Sequence, residues 1–218
     1  MAEALSYSSV ADRIEAVRNL RLASPDKSAN QMAARPHQFR EMRSATRHTI
    51  VLPRITSENR EYLPVGLIDA DGVVSSQSFA IFDGPLWLVS IISSKLHLTW
   101  IATVCGRTRT DFAYSNTLGW NTFPIPPLTE KNRADLVRSA EEILLAREAH
   151  FPATIADLYD PDTMPADLRA AHERNDEVLE RIYIGRGFRN DTERLEKLFE
   201  LYTKTTSSEG AKRKVVRR

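Results

Sequence analysis

Twenty residues from Pro85 to Val104 (PLWLVSIISSKLHLTWIATV) make a long, largely apolar segment that the fold has to bury. Leu86, Val89, Ile92, Leu96 and Thr99 to Trp100 keep helical spacing and trace one stripe. One long buried helix is therefore expected, with Pro85 in its first turn. Trp87 and Trp100 are expected in the core, and His97 as a hydrogen-bonded core histidine. The pattern differs on the two sides of this segment. Upstream, β-like runs at His48 to Leu52, Glu61 to Ile68 and Gly72 to Phe82 alternate with polar turns. Pro64 marks the second run as an edge strand or a bulge. Downstream, the polar stretch CGRTRTDFAYSNTLGWNTFPIPPL closes on Pro124, Pro126 and Pro127, which read as a stiff linker and domain boundary.

Beyond Thr129 the pattern is helical. Thr129 caps a helix carrying Leu136, Ile143 and Leu144, and a short piece follows at Thr154 to Tyr159. Asp162 or Thr163 opens a third helix with Pro165 in its first turn, and Asp191 caps a last one carrying Leu195, Leu198, Phe199 and Tyr202. At the other end, Val10, Ile14, Val17 and Leu20 to Leu22 keep helical spacing behind a cap at Ser8 or Ser9. The segment SPDKSANQMAARP after them reads as a loop or weak helix. The expected class is α+β, a small mixed α/β domain followed by an all-α helical domain. The expected divisions are an N-terminal helical connector over 1–35, the mixed domain over 36–127, the helical domain over 128–206 and a basic disordered tail over 207–218.

Charge adds a second partition. The 218 residues carry 30 Lys and Arg against 29 Asp and Glu, a net of +1, which excludes a wholly basic nucleic-acid coat. Between Arg35 and Arg60, however, six arginines face only Glu41 and Glu58. From 129 to 210 there are twelve basic and eighteen acidic residues, and the last eight residues hold five bases and no acid. A polyanion would meet the first of these regions and the tail. A single cysteine, Cys105, excludes a disulfide framework or a Cys-rich zinc site. No apolar run reaches the roughly 18 residues that span a bilayer, and the N-terminus has no signal-peptide core, so no membrane is expected and the cytoplasm is the default compartment.

Catalytic signals are thin. There is no phosphate-loop motif; Gly185 and Gly187 lack the third glycine of a dinucleotide fingerprint and read as a turn. The five histidines have no metal-ligand spacing, and adjacent acids such as Glu141 and Glu142 point to different helix faces. Recognition chemistry is richer. Gly106 to Thr117 (GRTRTDFAYSNT) packs Arg, Asp, Tyr, Asn and hydroxyl side chains into twelve positions, the groups that read base edges and grip phosphates. If Arg109 and Asp111 lie on an extended strand, alternation puts both on one face, able to read the guanine and cytosine of one pair. A surface salt bridge between them fits the same spacing.

The segments PHQFREMR (36–43), PRITSENREYLPVGLI (53–68), SSKLHLTWIATVCGRTRTDFAYSNTLGWNTFPIP (93–126), LYDPDTMPADLRAAHERND (158–176) and LEKLFELYTK (195–204) resemble, in order, the C-terminal part of MmeI-like (Type IIL) restriction-modification enzymes. The resemblance implies that 36–127 is a DNA target-recognition domain followed by a small helical domain. It implies base-reading roles for Arg109, Asp111, Ser76 and Gln77, the last two on a strand over 75–78. It further implies phosphate or shape contacts from Arg54, Arg60, Arg107, Tyr114, Ser115 and Asn116, although Tyr114 and Trp120 suit core or stacking support better than base contact. The implied partners are double-stranded DNA and an adenine-N6 methyltransferase catalytic domain, fused or separate, which uses S-adenosylmethionine. That domain's cofactor and Asn-Pro-Pro-Tyr motifs are not found here. The chain begins where the catalytic domain would end, so it is expected to hold no cofactor and to be inactive alone. The competing expectation is a protein-interaction module docking through the acidic C-terminal helices.

Overall fold

A computed structural model describes the backbone of residues 2–40 and 42–216, and the side chains of 3–40 and 42–207. The chain divides into two compact units, Met1–Ser44 and Ala45–Arg218. The first is helical, with α1 (Ala2–Leu5), α2 (Ser8–Leu22) and α3 (Lys27–Met32). Tyr7 rather than a serine precedes α2, with no side-chain cap, and none of the residues of α2 is buried. A polar clasp holds this unit instead. The Arg21 guanidinium donates to the carbonyls of Met32, Arg35 and Gln38 at 2.8–2.9 Å, and the Asn30 amide donates to those of Arg21 and Ser24.

The second unit is α+β. β1 (His48–Pro53) is the centre of a three-stranded antiparallel sheet, between β3 (Gly66–Asp69) and β4 (Ser78–Phe82). Ile50 lies opposite both Leu67 and Ile81 and is wholly buried. A second antiparallel sheet has the order β2 (Ile55–Thr56), β6 (Asp111–Ala113), β5 (Gly106–Thr108). The strands are shorter than the β-like runs suggest. Glu61 to Val65 leaves the sheet because Tyr62 stacks on His172, ring centroids 4.2 Å apart, while Arg147 takes the Val65 carbonyl. The run from Gly72 becomes strand only at Ser78.

The central apolar segment is two helices, α4 (Trp87–Ile92) and α5 (Lys95–Val104), broken at Ser93 and Ser94. Ser94 is extended, and its hydroxyl accepts the His97 N–H at 3.1 Å, capping α5. Helical spacing registers only the apolar stripe; what opens the helix is polar and comes from far along the chain. Asp176 accepts the Lys95 N–H at 2.9 Å. One turn earlier the Asn175 amide donates to the Ser90 carbonyl at 2.9 Å, and the Ser90 hydroxyl donates back to Asn175. Both residues lie on α8 (Ala166–Ile184), beside α6 (Glu130–Glu148), the short α7 (Ile155–Leu158) and α9 (Asp191–Val216).

The helical region therefore shares its interior with α4 and α5, and Ala140 of α6 joins the cluster around Ile50 and Leu52 of β1. Ile91, Leu96, Trp100 and Phe123 form one cluster with Leu136, Leu179, Tyr183 and Leu198. The proline stretch is pinned, since the Tyr183 hydroxyl donates to the Pro124 carbonyl at 2.9 Å. Thr129 caps α6 as its sequence suggests, and Gly185 ends α8 at φ +79°, a conformation glycine takes without steric cost. Two helix starts differ from expectation: α8 begins after Pro165, and Asn190, not Asp191, caps α9 by accepting the Glu193 N–H at 3.0 Å. The α9 backbone stays helical to Val216, across most of the expected disordered tail, because extending an existing helix costs far less than starting one. The side chains from 208 on, with the tail's basic charges, lie outside the described residues.

Replacing Asn175 with Ala strands buried polar groups of Ser90 and should cost about 1–3 kcal/mol. Thermal unfolding should show this as a fall of roughly 2–4 °C per kcal/mol. Burial lifts the Asp176 carboxyl to about 7. Its folded form therefore holds a proton that the unfolded chain, at about 3.9, has released, and stability from this group is lost as pH rises from about 4 to 7. Asp176→Asn keeps an acceptor for Lys95, so the melting-temperature difference, mutant minus parent, should increase between pH 5 and pH 8.

Candidate nucleic-acid interface

The chain leaves the first sheet and enters the second at Arg54, a bend between β1 and β2. Its N–H donates to the Gln77 carbonyl at 3.0 Å, and its carbonyl accepts the Tyr114 N–H at 2.8 Å. Gln77, Arg54 and Tyr114 thus lie side by side, bringing two sequence-distant polar segments to one end of the sheets. Asp111 is three residues along β6 from Tyr114, roughly 10 Å at about 3.3 Å per residue.

The first segment is a turn rather than the expected strand. The Ser78 N–H donates to the Ser75 carbonyl at 3.1 Å and the Gln77 N–H to the Ser75 hydroxyl at 3.3 Å. Ser76 and Gln77 occupy its exposed tip, because the short serine hydroxyl competes for backbone donors and closes the loop before a ladder can form. The second segment is the β5–β6 hairpin, in which Thr108 pairs with Asp111 and only Arg109 and Thr110 connect the strands. Arg109 and Asp111 do not alternate along one strand. Arg109 sits in the turn at φ +59°, a region usually given to Gly, Asn or Asp. A shared strand face reading one G·C pair is therefore not available, although Arg109 is exposed and Asp111 half-buried.

The polar side chains of this end divide into two groups. Among the described residues, those of Ser76, Gln77, Arg109 and Asp111 have no hydrogen-bond or ion-pair partner. The others are mostly committed to the protein. Arg107 donates to Glu58 at 2.8 Å and to the Thr110 carbonyl at 2.6 Å, and its guanidinium lies 4.6 Å from the Phe112 ring. Arg54 reaches the Ser76 carbonyl at 3.2 Å and lies 5.4 Å from the Phe79 ring. Ser115 caps a π-helix over Asn116–Trp120 by accepting the Leu118 N–H at 3.2 Å. Asn116 is exposed at the start of that helix, and the half-buried Arg60 closes a turn through its backbone to Ser57. Glu58, Phe79 and Ser75 escape sequence reasoning, because each acts through a residue distant in sequence or through the backbone.

Tyr114 does not belong to the surface. It is 5% exposed, its hydroxyl lies 3.0 Å from His97 Nε2, and burial raises its phenol above the usual range. His97 is the core histidine expected, with burial holding it down to about 3. Beneath the hairpin, Gly119 allows close packing: a Cβ there would sit 3.1 Å from Cys105 Sγ and 3.2 Å from Ile101. Part of the acidic charge of the helices is paired within the protein, with Asp135 on Lys131 and Arg138, Glu142 on Arg174, Glu177 on Arg181, and Glu193 on Arg186 and Arg189, while Glu141, Glu148, Glu173 and Glu196 are exposed.

Comparison with known proteins bears on the whole chain. Residues 1–127 match the family model for the MmeI target recognition domain, and residues 128–208 that for the MmeI C-terminal domain. The chain is 41% identical over 197 residues to DNA methyltransferase A of Bacillus subtilis (strain 168), covering 90% of this chain and 22% of that protein. A solved structure of the Type IIL restriction-modification enzyme MmeI in complex with DNA superposes with a TM-score of 0.85 at 33% identity, covering 91% of this chain and 26% of that one. The chain thus spans about a quarter or less of the length of these relatives. It belongs to the MmeI family, of which it comprises the target-recognition and C-terminal domains.

Proposed function

We propose that this chain is the DNA sequence-recognition part of an adenine-N6 methyltransferase of a restriction-modification system, holding duplex DNA for a catalytic domain outside the chain. One observation carries the reading: four polar side chains have unspent hydrogen-bonding capacity, Ser76, Gln77 and Arg109 exposed on turns and Asp111 half-buried where β6 begins, on backbone braced from beneath. A guanidinium donates to guanine O6 and N7, a carboxylate accepts from the cytosine amino group, and a glutamine amide matches adenine N6 and N7. In this reading Arg109, in the turn, and Asp111, on the strand after it, read separate positions. The arginine-rich stretch from 35 to 60 draws the duplex in by counterion release. The catalytic part flips the target adenine and methylates it from S-adenosylmethionine, and the location that suits this work is the cytoplasm. No helix among the described residues is long and apolar enough to cross a membrane.

Alanine at Arg109 or at Asp111 should each relax one base position, by about 1–3 kcal/mol of discrimination, while non-specific binding persists. Affinities for a panel of single-base duplex variants check this, and an unchanged preference in both mutants refutes the assignment. Arg109→Gly separates recognition from folding. Glycine removes the left-handed strain of about 1–2 kcal/mol and gives back roughly 0.5–1 kcal/mol in chain entropy. The melting temperature should hold or rise while discrimination at that position falls as in the alanine mutant.

A further inference from the structure

Arg54 joins the two segments of the recognition end. Its main chain bonds Gln77 on one side and Tyr114 on the other, and its side chain bonds the Ser76 carbonyl while lying against Phe79. Phe79 belongs to β4 directly behind the turn and packs at 5.6 Å against Tyr114, the residue that anchors the other segment. The arginine thus grips two carbonyls of the 75–77 turn, that of Gln77 with its main-chain N–H and that of Ser76 with its guanidinium. The planar guanidinium matters, because it places a donor at Ser76 while its face rests on the ring. One guanidinium donor, on Nη1, is thereby spent on the turn, and the face of the group lies against Phe79.

From these contacts we infer that Arg54 is a positioning residue for sequence recognition, not a phosphate contact. It fixes the 75–77 turn at a set distance from the β5–β6 hairpin, so that Gln77 and the hairpin residues address the same duplex in one register. This rests on the DNA-recognition reading above. It predicts that losing the side chain blurs the base positions read by Ser76 and Gln77 and leaves those read by the hairpin intact.

The test uses the full chain and its Arg54→Ala and Arg54→Lys variants, against a duplex library enriched on the parent protein. Gln77→Ala and Arg109→Ala first mark which positions each segment reads. Both Arg54 variants should lose roughly tenfold discrimination at the Gln77-dependent positions. The Arg109-dependent position and the dependence of affinity on salt should stay unchanged, and lysine should not rescue. A phosphate contact gives the opposite result: uniform weakening over all sequences, with the slope of log affinity against log salt falling by about 0.9 in the alanine variant and recovering in the lysine variant. That result, or no change in either variant, overturns the inference while leaving the recognition reading in place. Absence of any sequence preference in the parent chain overturns both.

Discussion

The fold depends on the polar join at the break between α4 and α5. Two serines interrupt the most apolar segment of the chain, and free N–H groups at the start of a buried helix would be costly without partners. Ser94 supplies one partner locally, and Asp176 supplies another from α8. Asn175 locks the preceding turn through Ser90. Because these partners come from the C-terminal helices, the mixed and helical parts close over one interior. The same join sets the direction in which α5 delivers the chain to Cys105 and the hairpin beyond it.

From that base the recognition end is built by division of labour. Arg107, Arg54, Ser115 and Tyr114 resemble ligand-binding residues by type, yet the protein uses them to hold its own backbone. What they hold are two short turns whose tips carry the free polar groups. Backbone braced in this way loses little further freedom on binding, which leaves the interaction energy for discrimination. The left-handed arginine at the hairpin tip fits this picture, since local strain of that kind persists only where its surroundings enforce it.

Much of this was legible in the sequence. Thr129 as a cap, the helical run beyond it, β1 ending at Pro53, His97 in the core and the turn at Gly185 all follow from local chemistry. The broken helix was not, because the residues that open it lie some eighty positions apart. The hairpin was hidden because its two-residue connection is Arg-Thr, without the Gly or Asn that marks such turns. The expected strand over 75–78 is a turn, closed by the Ser75 hydroxyl and carbonyl and gripped by the sequence-distant Arg54. Residue type named the candidates at 109 and 111 and family resemblance those at 76 and 77, but neither gave their placement in the turn and the hairpin.

The join at Ser93 and Ser94 also bears on how such genes diversify. A crossover that imported a foreign recognition segment ending at the prolines would pair its α4–α5 break with an α8 that had never coevolved with it. Buried donors and acceptors would then face strangers. Recombination should therefore preserve 45–216 as one heritable block; on the proposed reading, novelty in target choice then arises by point changes in the two polar segments.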